Sequence, residues 1–296
     1  MKIRKPLFGV LAGVLTLACV ATAADAPNLT FKFKTIDVRN ALQTSPYGIN
    51  NSGAVVGYYI DQEQAIHGLL FANGKGYNID DPESAYGTEP INLNSSGVVV
   101  GEYITDSQGD IRGFVYQSGK FTDIGPEGCI ESAGAGINDQ GEIVGWCTDS
   151  SDVVHGYLWD GKNYSSLDYP GAKNFTLAWG INNAGLVTLQ WIDSAGNYEG
   201  AVYNSKTMKY SNPITVPGAA QTYIHSINNS NDIVFSWDDS SGNSYGALLV
   251  GKQFYNFSDP NGLDYTRPDG INDMGEIVGR FEPTGELYEQ GFGASY

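Results

Sequence analysis

Six copies of one motif, in near-constant register, constrain this chain more than any other feature. They read "GINNSGAVVGYY", "NLNSSGVVVGEY", "GINDQGEIVGWC", "GINNAGLVTLQW", "SINNSNDIVFSW" and "GINDMGEIVGRF". Their shared asparagines, Asn50, Asn94, Asn138, Asn182, Asn228 and Asn272, stand 44, 44, 44, 46 and 44 residues apart. A glycine follows each at 18 or 19 residues: Gly68, Gly113, Gly156, Gly200, Gly246 and Gly291. A fixed period of this length marks stacked or radial repeats, because one copy alone cannot bury its apolar face. Taken singly, Gly48 and Gly53 have P-loop spacing, but that loop needs Lys and then Ser or Thr, and Ala54 and Val55 follow instead.

Each copy reads as strands. After the turn at Asn-Asn-Ser-Gly, where Gly53 suits a positive φ, the run Val55 to Tyr59 alternates in character with a period of two. A polar turn follows, then a segment such as "RGFVY" or "HGYLW", a second tight turn such as "QSGK", a last strand, and a Pro/Gly-rich link. No helical pattern occurs, and about four strands per 44 residues is the size of one propeller blade. The sixth copy ends after its third strand at "QGFGASY", while an unpaired "FKFKTIDV" (Phe31 to Val38) precedes the first. The exchange suits a ring, in which the N-terminal strand completes the last blade and covers an open edge. The expectation is an all-β, six-bladed β-propeller with blades starting near residues 39, 83, 127, 171, 217 and 261, and residues 31–38 completing the last. A β-solenoid or two packed sheets is the competing architecture.

The pattern GIN-(N/D)-x-G-x-(V/I)-V-G followed by a His/x-Gly-aromatic signpost resembles the HAF repeat, a family of bacterial proteins expected to be extracellular. The resemblance spans essentially residues 24–296. Copies four and five depart from it: Leu189 and Phe235 replace the second glycine, and Ala201 and Ala247 replace the aromatic. It implies location and architecture, and no common activity, so no residue inherits a catalytic role from it. Those two departures, together with the unexplained in-strand glycine at position 57, mark the first places to look for a site.

The N-terminus supports export. Lys2, Arg4 and Lys5 precede an uncharged apolar run from Pro6 to Val20 and a small-x-small site at Ala21-Thr22-Ala23. Residues 1–23 are therefore expected to be a secretory signal peptide, the run being shorter than the roughly 20 residues of a membrane span. A lipoprotein variant would acylate Cys19, but Thr16 stands where Leu is usual. Cleavage leaves 273 residues and takes the formal net charge from −17 to −20. So acidic a chain is not expected to bind nucleic acid or an anionic membrane surface. The remaining Cys129 and Cys147, in an oxidising compartment, are expected to pair; unlinked thiols are the alternative.

Chemistry is harder to find. The three histidines show no zinc spacing; His67 and His155 occupy one repeat position filled elsewhere by Arg112, Glu199, Tyr245 and Gln290, and His225 has no evident partner. There is no sialidase-type S-x-D-x-G-x-T-W turn, and carboxylates are too abundant for a glycosidase pair to be singled out. Nine residues after each repeat asparagine stand Tyr59, Tyr103, Cys147, Trp191, Trp237 and Phe281. The five aromatics either pack between blades or form a sugar-stacking ring, and Cys147 leaves a gap there that a bond to Cys129 would fill. Turn residues Asp106, Asp193 and Asp239, with Asp61, Asp149 and Asp238 nearby, either hold Ca²⁺ or serve as turn formers; no loop has EF-hand spacing. No other cofactor is expected.

The expected function is a secreted or periplasmic, non-catalytic, monomeric propeller binding a carbohydrate polymer or a surface protein across one loop face. A hydrolase or lyase acting on glycans or lactones through acidic channel residues is the rival, and a structural scaffold the third reading. The channel discriminates: carboxylates with a histidine favour the enzyme, small or apolar residues favour binding or scaffolding.

Overall fold

Turn chemistry at each repeat asparagine sets the strands. In copy one Gly53 N–H donates to Asn50 O at 3.0 Å and Asn50 N–H to Ala54 O at 3.0 Å. Gly53 sits at φ 76°, and in copy five Asn231 takes the same place at φ 68°, a left-handed conformation that Gly and Asn enter at least cost. The computed structural model describes residues 29–105, 109–285 and 287–296. The expected signal peptide at residues 1–23, Cys19 and Asp106 lie outside them. Four strands of copy one, Gln43–Ile49, Val55–Ile60, Ile66–Ala72 and Lys75–Asn78, form an antiparallel meander. The pattern recurs along the chain, and the described residues contain no α-helix.

The strands make two four-stranded and two eight-stranded sheets. Each eight-stranded sheet is joined at its middle by a single parallel pairing, Ile66 with Gly87 and Ser244 with Tyr265. At the C-terminus, Gly262–Ile271, Glu276–Pro283 and Gln290–Ser295 run antiparallel. Lys32–Ile36 adds to Gln290–Ser295, with Lys32 opposite Ser295 and Ile36 opposite Gly291. The edge left by "QGFGASY" is thereby covered.

The core lies between successive sheets. Val56 of copy one packs with Leu93, Val99, Tyr103 and Phe114 of copy two, and Val144 of copy three with Ala178, Val187 and Leu189 of copy four. Ile36, Ile49, Val55 and Val278 form one cluster, so the first and last copies share apolar burial. Burial of a ring as enclosed as Phe114, which is 0% exposed, contributes about 3–5 kcal/mol as judged by truncation to Ala.

The in-strand glycine has a steric cause. A Cβ at Gly57 would lie 2.0 Å from Ser45 O, and at Gly145 2.0 Å from Ala133 O, because the neighbouring strand shifts register there. Across the sheet the glycine faces a large residue: Gly57 opposite Leu69, Gly101 opposite Phe114, Gly145 opposite Tyr157, Gly279 opposite Phe292. In copies four and five the sizes are exchanged, Leu189 facing Ala201 and Phe235 facing Ala247. All four of these residues are fully buried. The two departures that pointed toward a site are therefore volume-conserving exchanges within the core.

The repeat asparagines do more than turn the chain. Each Oδ1 accepts from its own turn, as Asn50 does from Ser52 N–H at 3.0 Å and Ala54 N–H at 3.1 Å. Each Nδ2 donates to the backbone carbonyl of the asparagine one copy on: Asn50 to Asn94, Asn94 to Asn138, Asn138 to Asn182, Asn182 to Asn228 and Asn228 to Asn272. Asn272 donates to Asn50 at 3.1 Å. The residue after each asparagine supplies an acceptor to the preceding copy, as Asp139, Asn183, Asn229, Asp273 and Asn51 do, and Asn51, Asn183 and Asn229 also donate Nδ2–H to an aspartate of a neighbouring copy. The first position needs donor and acceptor together and is Asn in all six copies, whereas the second is Asn, Asp or, at Ser95, Ser.

Candidate functional site

The first strand of every copy sends side chains into a common cavity of about 380 Å³. Its walls come from fixed offsets. Three residues before each repeat asparagine stand Tyr47, Ile91, Ala135, Trp179, His225 and Asp269, and all six line it. Glu89, Leu177 and Arg267 join from five residues before, Glu131 and Phe175 from seven before. From eight residues after, on the second strands, come Glu102, Trp146 and Arg280. Residues five and seven before share a side by period-two alternation, while the residue three before falls in the register shift of every first strand, where it has no partner across the sheet.

Charges in the cavity are segregated. Arg280 Nε lies 3.3 Å from Asp269 Oδ2 and its Nη1 3.1 Å from Glu289 Oε2. Arg267 Nε lies 3.0 Å from Asp269 Oδ1. The Arg280 guanidinium also rests 4.9 Å from the centre of the Tyr47 ring. Burial acts to lower the Arg280 pKa, but Tyr47, Asp269 and Glu289 together hold it well above its usual value. Glu102, surrounded by protein yet facing the cavity space, has its pKa pushed up to about 8 by burial, with Glu89 and Glu131 adding to the shift. Glu89 is raised by burial too, against the opposing pull of Arg280. No side-chain hydrogen bond holds Glu89, Glu102 or Glu131 among the described residues. On the wall between these groups, the Trp179 Nε1–H is buried without an acceptor.

His225 is the histidine that matters here, and it does have a partner: Nε2 meets Ser236 Oγ at 2.9 Å. Burial, then Arg267 and Arg280, depress its pKa well below the ordinary value, so the ring is neutral. Its edge packs against Trp179, centroids 6.1 Å apart.

The aromatic set expected from the sequence lies elsewhere. Tyr59 stacks on His67 with centroids 5.1 Å apart, Trp191 on Tyr169 at 4.3 Å, and Trp237 packs against Tyr245 at 4.8 Å. Tyr103 and Phe281 are buried. None of the five lines the cavity. At the sixth position Cys147 is joined to Cys129 by a disulfide, with Cα atoms 5.7 Å apart. Among the acidic turns, Asp193 Oδ1 accepts from Ala195 N–H and Asn197 N–H, and Asp239 Oδ1 from Ser241 N–H and Asn243 N–H. Asp61 and Asp149 close their turns in the same way. His67 bridges Asp61 and Asp80, and His155 bridges Asp149 and Asp168. These carboxylates are thus occupied by their own loops.

The cavity residues were not singled out from the sequence, although a signal existed. At the offsets three before and eight after, the six copies hold six different residue types, Tyr, Ile, Ala, Trp, His, Asp and Tyr, Glu, Trp, Gln, Ser, Arg. Positions whose role is to hold the frame repeat; those facing the cavity do not.

Comparison with protein-family models and with curated proteins finds no match. Solved structures do match. The chain is similar to a putative TolB from Agrobacterium tumefaciens, with TM-score 0.57 and 13% identity over 89% of this chain and 91% of that one. It is similar to the lectin SapL1 in complex with α-methyl fucoside, with TM-score 0.57 and 10% identity over 86% of this chain and 95% of that one. A lectin from Aleuria aurantia, in complex with Fucα1-6GlcNAc, gives TM-score 0.52 and 13% identity over 86% and 93%. At such identities the likeness concerns the fold alone: an all-β, propeller-like arrangement of four-stranded sheets.

Proposed function

We propose that the chain is an exported, monomeric, six-bladed β-propeller of HAF-repeat type whose central cavity binds a carbohydrate. Dividing each eight-stranded sheet at its single parallel pairing yields six four-stranded units, which supports the blade count. The return of the asparagine chain from Asn272 to Asn50, and the pairing of Lys32–Ile36 with Gln290–Ser295, support closure of the ring. Export rests on the signal-like residues 1–23. Among the described residues no helix is long and apolar enough to cross a membrane.

One observation carries the binding reading: a uniform frame converges non-uniform side chains on one cavity and leaves polar groups there unpaired. Carboxyls there that meet no protein donor are open to a hydroxyl-rich ligand, whose hydrogen bonds contribute about 0.5–1.5 kcal/mol each. Trp146, Trp179 and Phe175 offer the flat apolar faces on which sugar rings stack, beside carboxyl acceptors. The two similar lectins were solved with fucosides, which fits this reading. A loop-face site finds less support, since the acidic turns and the Tyr59 set are engaged by neighbours. A glycan array probed with residues 24–296 tests the proposal; binding that is lost on Trp179→Ala is expected, and a silent array contradicts it.

The carboxylates and the histidine also meet the criterion for an enzyme acting on glycans or lactones. Glu102 keeps its proton up to about pH 8 and sits near Glu89 and Glu131, an arrangement suited to a general acid. Turnover of a bound glycan that disappears in Glu102→Gln, with binding retained, would establish that second reading.

A further inference from the structure

The carboxyls of the cavity outnumber the cations left to meet them. Asp269 already takes both Arg267 and Arg280, and Glu289 takes Arg280 as well. His225 is neutral. Glu89 on Gly87–Leu93, Glu102 on Val99–Ile104 and Glu131 on Cys129–Ile137 therefore face the space as a surplus of carboxyls, with no protein donor among the described residues. Placing several carboxyls together out of water costs free energy that a neutral guest only partly offsets, whereas a cation offsets it by direct Coulomb attraction in a weakly screened setting. The described residues hold no group of three or more His, Cys, Asp or Glu arranged to hold a metal ion. The other walls favour an organic cation: Trp146, Trp179 and Phe175 present aromatic faces, which attract ammonium groups as well as sugar rings.

We infer that the ligand is an amino sugar, its protonated amine drawn to the carboxyl surplus of Glu89, Glu102 and Glu131 and its ring lying against Trp146 and Trp179. The inference rests on the carbohydrate reading above and narrows it to saccharides carrying a free amine. Binding forms ion pairs and no covalent bond. Glu102 enters the complex protonated and leaves its proton to solvent as the ammonium arrives, since an adjacent cation favours the carboxylate. Glu89 and Glu131 act on Glu102 directly, and the Arg280–Asp269–Arg267 network, neutral His225 and Tyr47 line the same cavity. Arg267, which lines the cavity, supplies donors to the ring and hydroxyl oxygens.

The test is calorimetric titration at about pH 6 and about 0.15 M salt, where the acidic exterior is screened. Three β-1,4-linked disaccharides differing only at C2 serve as probes: those of glucosamine, N-acetylglucosamine and glucose. The glucosamine disaccharide should bind at least ten-fold more tightly than the other two, and buffers of different ionisation heat should report proton release. Glu102→Gln should remove both the preference and the proton release; Glu89→Gln should weaken the preference. Equal binding of the three sugars, or a preference untouched in Glu102→Gln, overturns the amine while leaving a carbohydrate cavity. Silence of all three, together with a silent glycan array, removes the carbohydrate reading and the amine with it.

Discussion

At the scale of single residues, the repeat asparagine and Glu102 show how one side chain serves either the frame or the site. Asn94 donates to Asn138 O at 3.2 Å and accepts from Ser96 and Val98 N–H at 3.1 and 3.0 Å. Asn94→Asp keeps the acceptor and loses the donor, leaving a buried carbonyl unpaired beside a new charge. We expect it to lose about 1–3 kcal/mol in denaturant unfolding, while Asp139→Asn, which keeps the acceptor for Ser95 N–H and gives up only the exposed one for Asn183 Nδ2, should lose less. Glu102 behaves in the opposite sense. Its folded value of about 8 exceeds the ordinary 4.5, so the folded state holds a proton that the unfolded state releases. Its contribution is present below about pH 4.5 and is lost as pH rises through 8. Glu102→Gln should therefore raise the melting temperature at pH 8–9 more than at pH 5, as scanning calorimetry would read; a stability gain independent of pH would mean the carboxyl is not protonated in the fold.

At the scale of the strand and the sheet, the large-for-small exchange between neighbouring strands is the clearest packing device. Phe235 faces Ala247 where other copies have glycine facing Leu69, Phe114, Tyr157 or Phe292. Ala247→Phe alone overfills the core and Phe235→Gly alone empties it, so each should destabilise, by about 1–3 kcal/mol for the overpacked variant. The double variant should recover stability, with a coupling of about 0.5–3 kcal/mol in a double-mutant cycle; simple additivity would refute the exchange. The disulfide belongs to this scale as well. Cys129 and Cys147 lie on paired strands of copy three, and a thiol count on the denatured, unreduced protein should find neither free. Much of this level was legible in the sequence. The strands follow from period two and from turn residues, and the copies fixed their own register. The meaning of Leu189 and Phe235 was not legible, because compensation runs across the sheet to Ala201 and Ala247, and pairing of strands decides which residues meet.

At the scale of the whole molecule, the frame and the cavity divide the sequence between them. Frame positions repeat because each copy meets the next through the same contacts; cavity positions differ because each copy faces one shared space from its own direction. The aromatic set at Tyr59, Tyr103, Trp191, Trp237 and Phe281 attracted notice because it repeats, and repetition turned out to mark packing within the sheets. The cavity set, by contrast, was hidden by its own variety, and becomes visible only once the first strands are known to converge. Deleting residues 31–38 should strip the strand from Gln290–Ser295 and expose Phe292 and Ala294, lowering the melting temperature by several degrees; an unchanged value would contradict the ring. The central claim is that the cavity, and not the loop face, holds the ligand. It is tested most directly by measuring the affinity of the best array glycan for Trp179→Ala and for Tyr59→Ala in parallel. The account predicts at least a ten-fold loss, about 1.4 kcal/mol, for Trp179→Ala and none for Tyr59→Ala; the reverse pattern would contradict it.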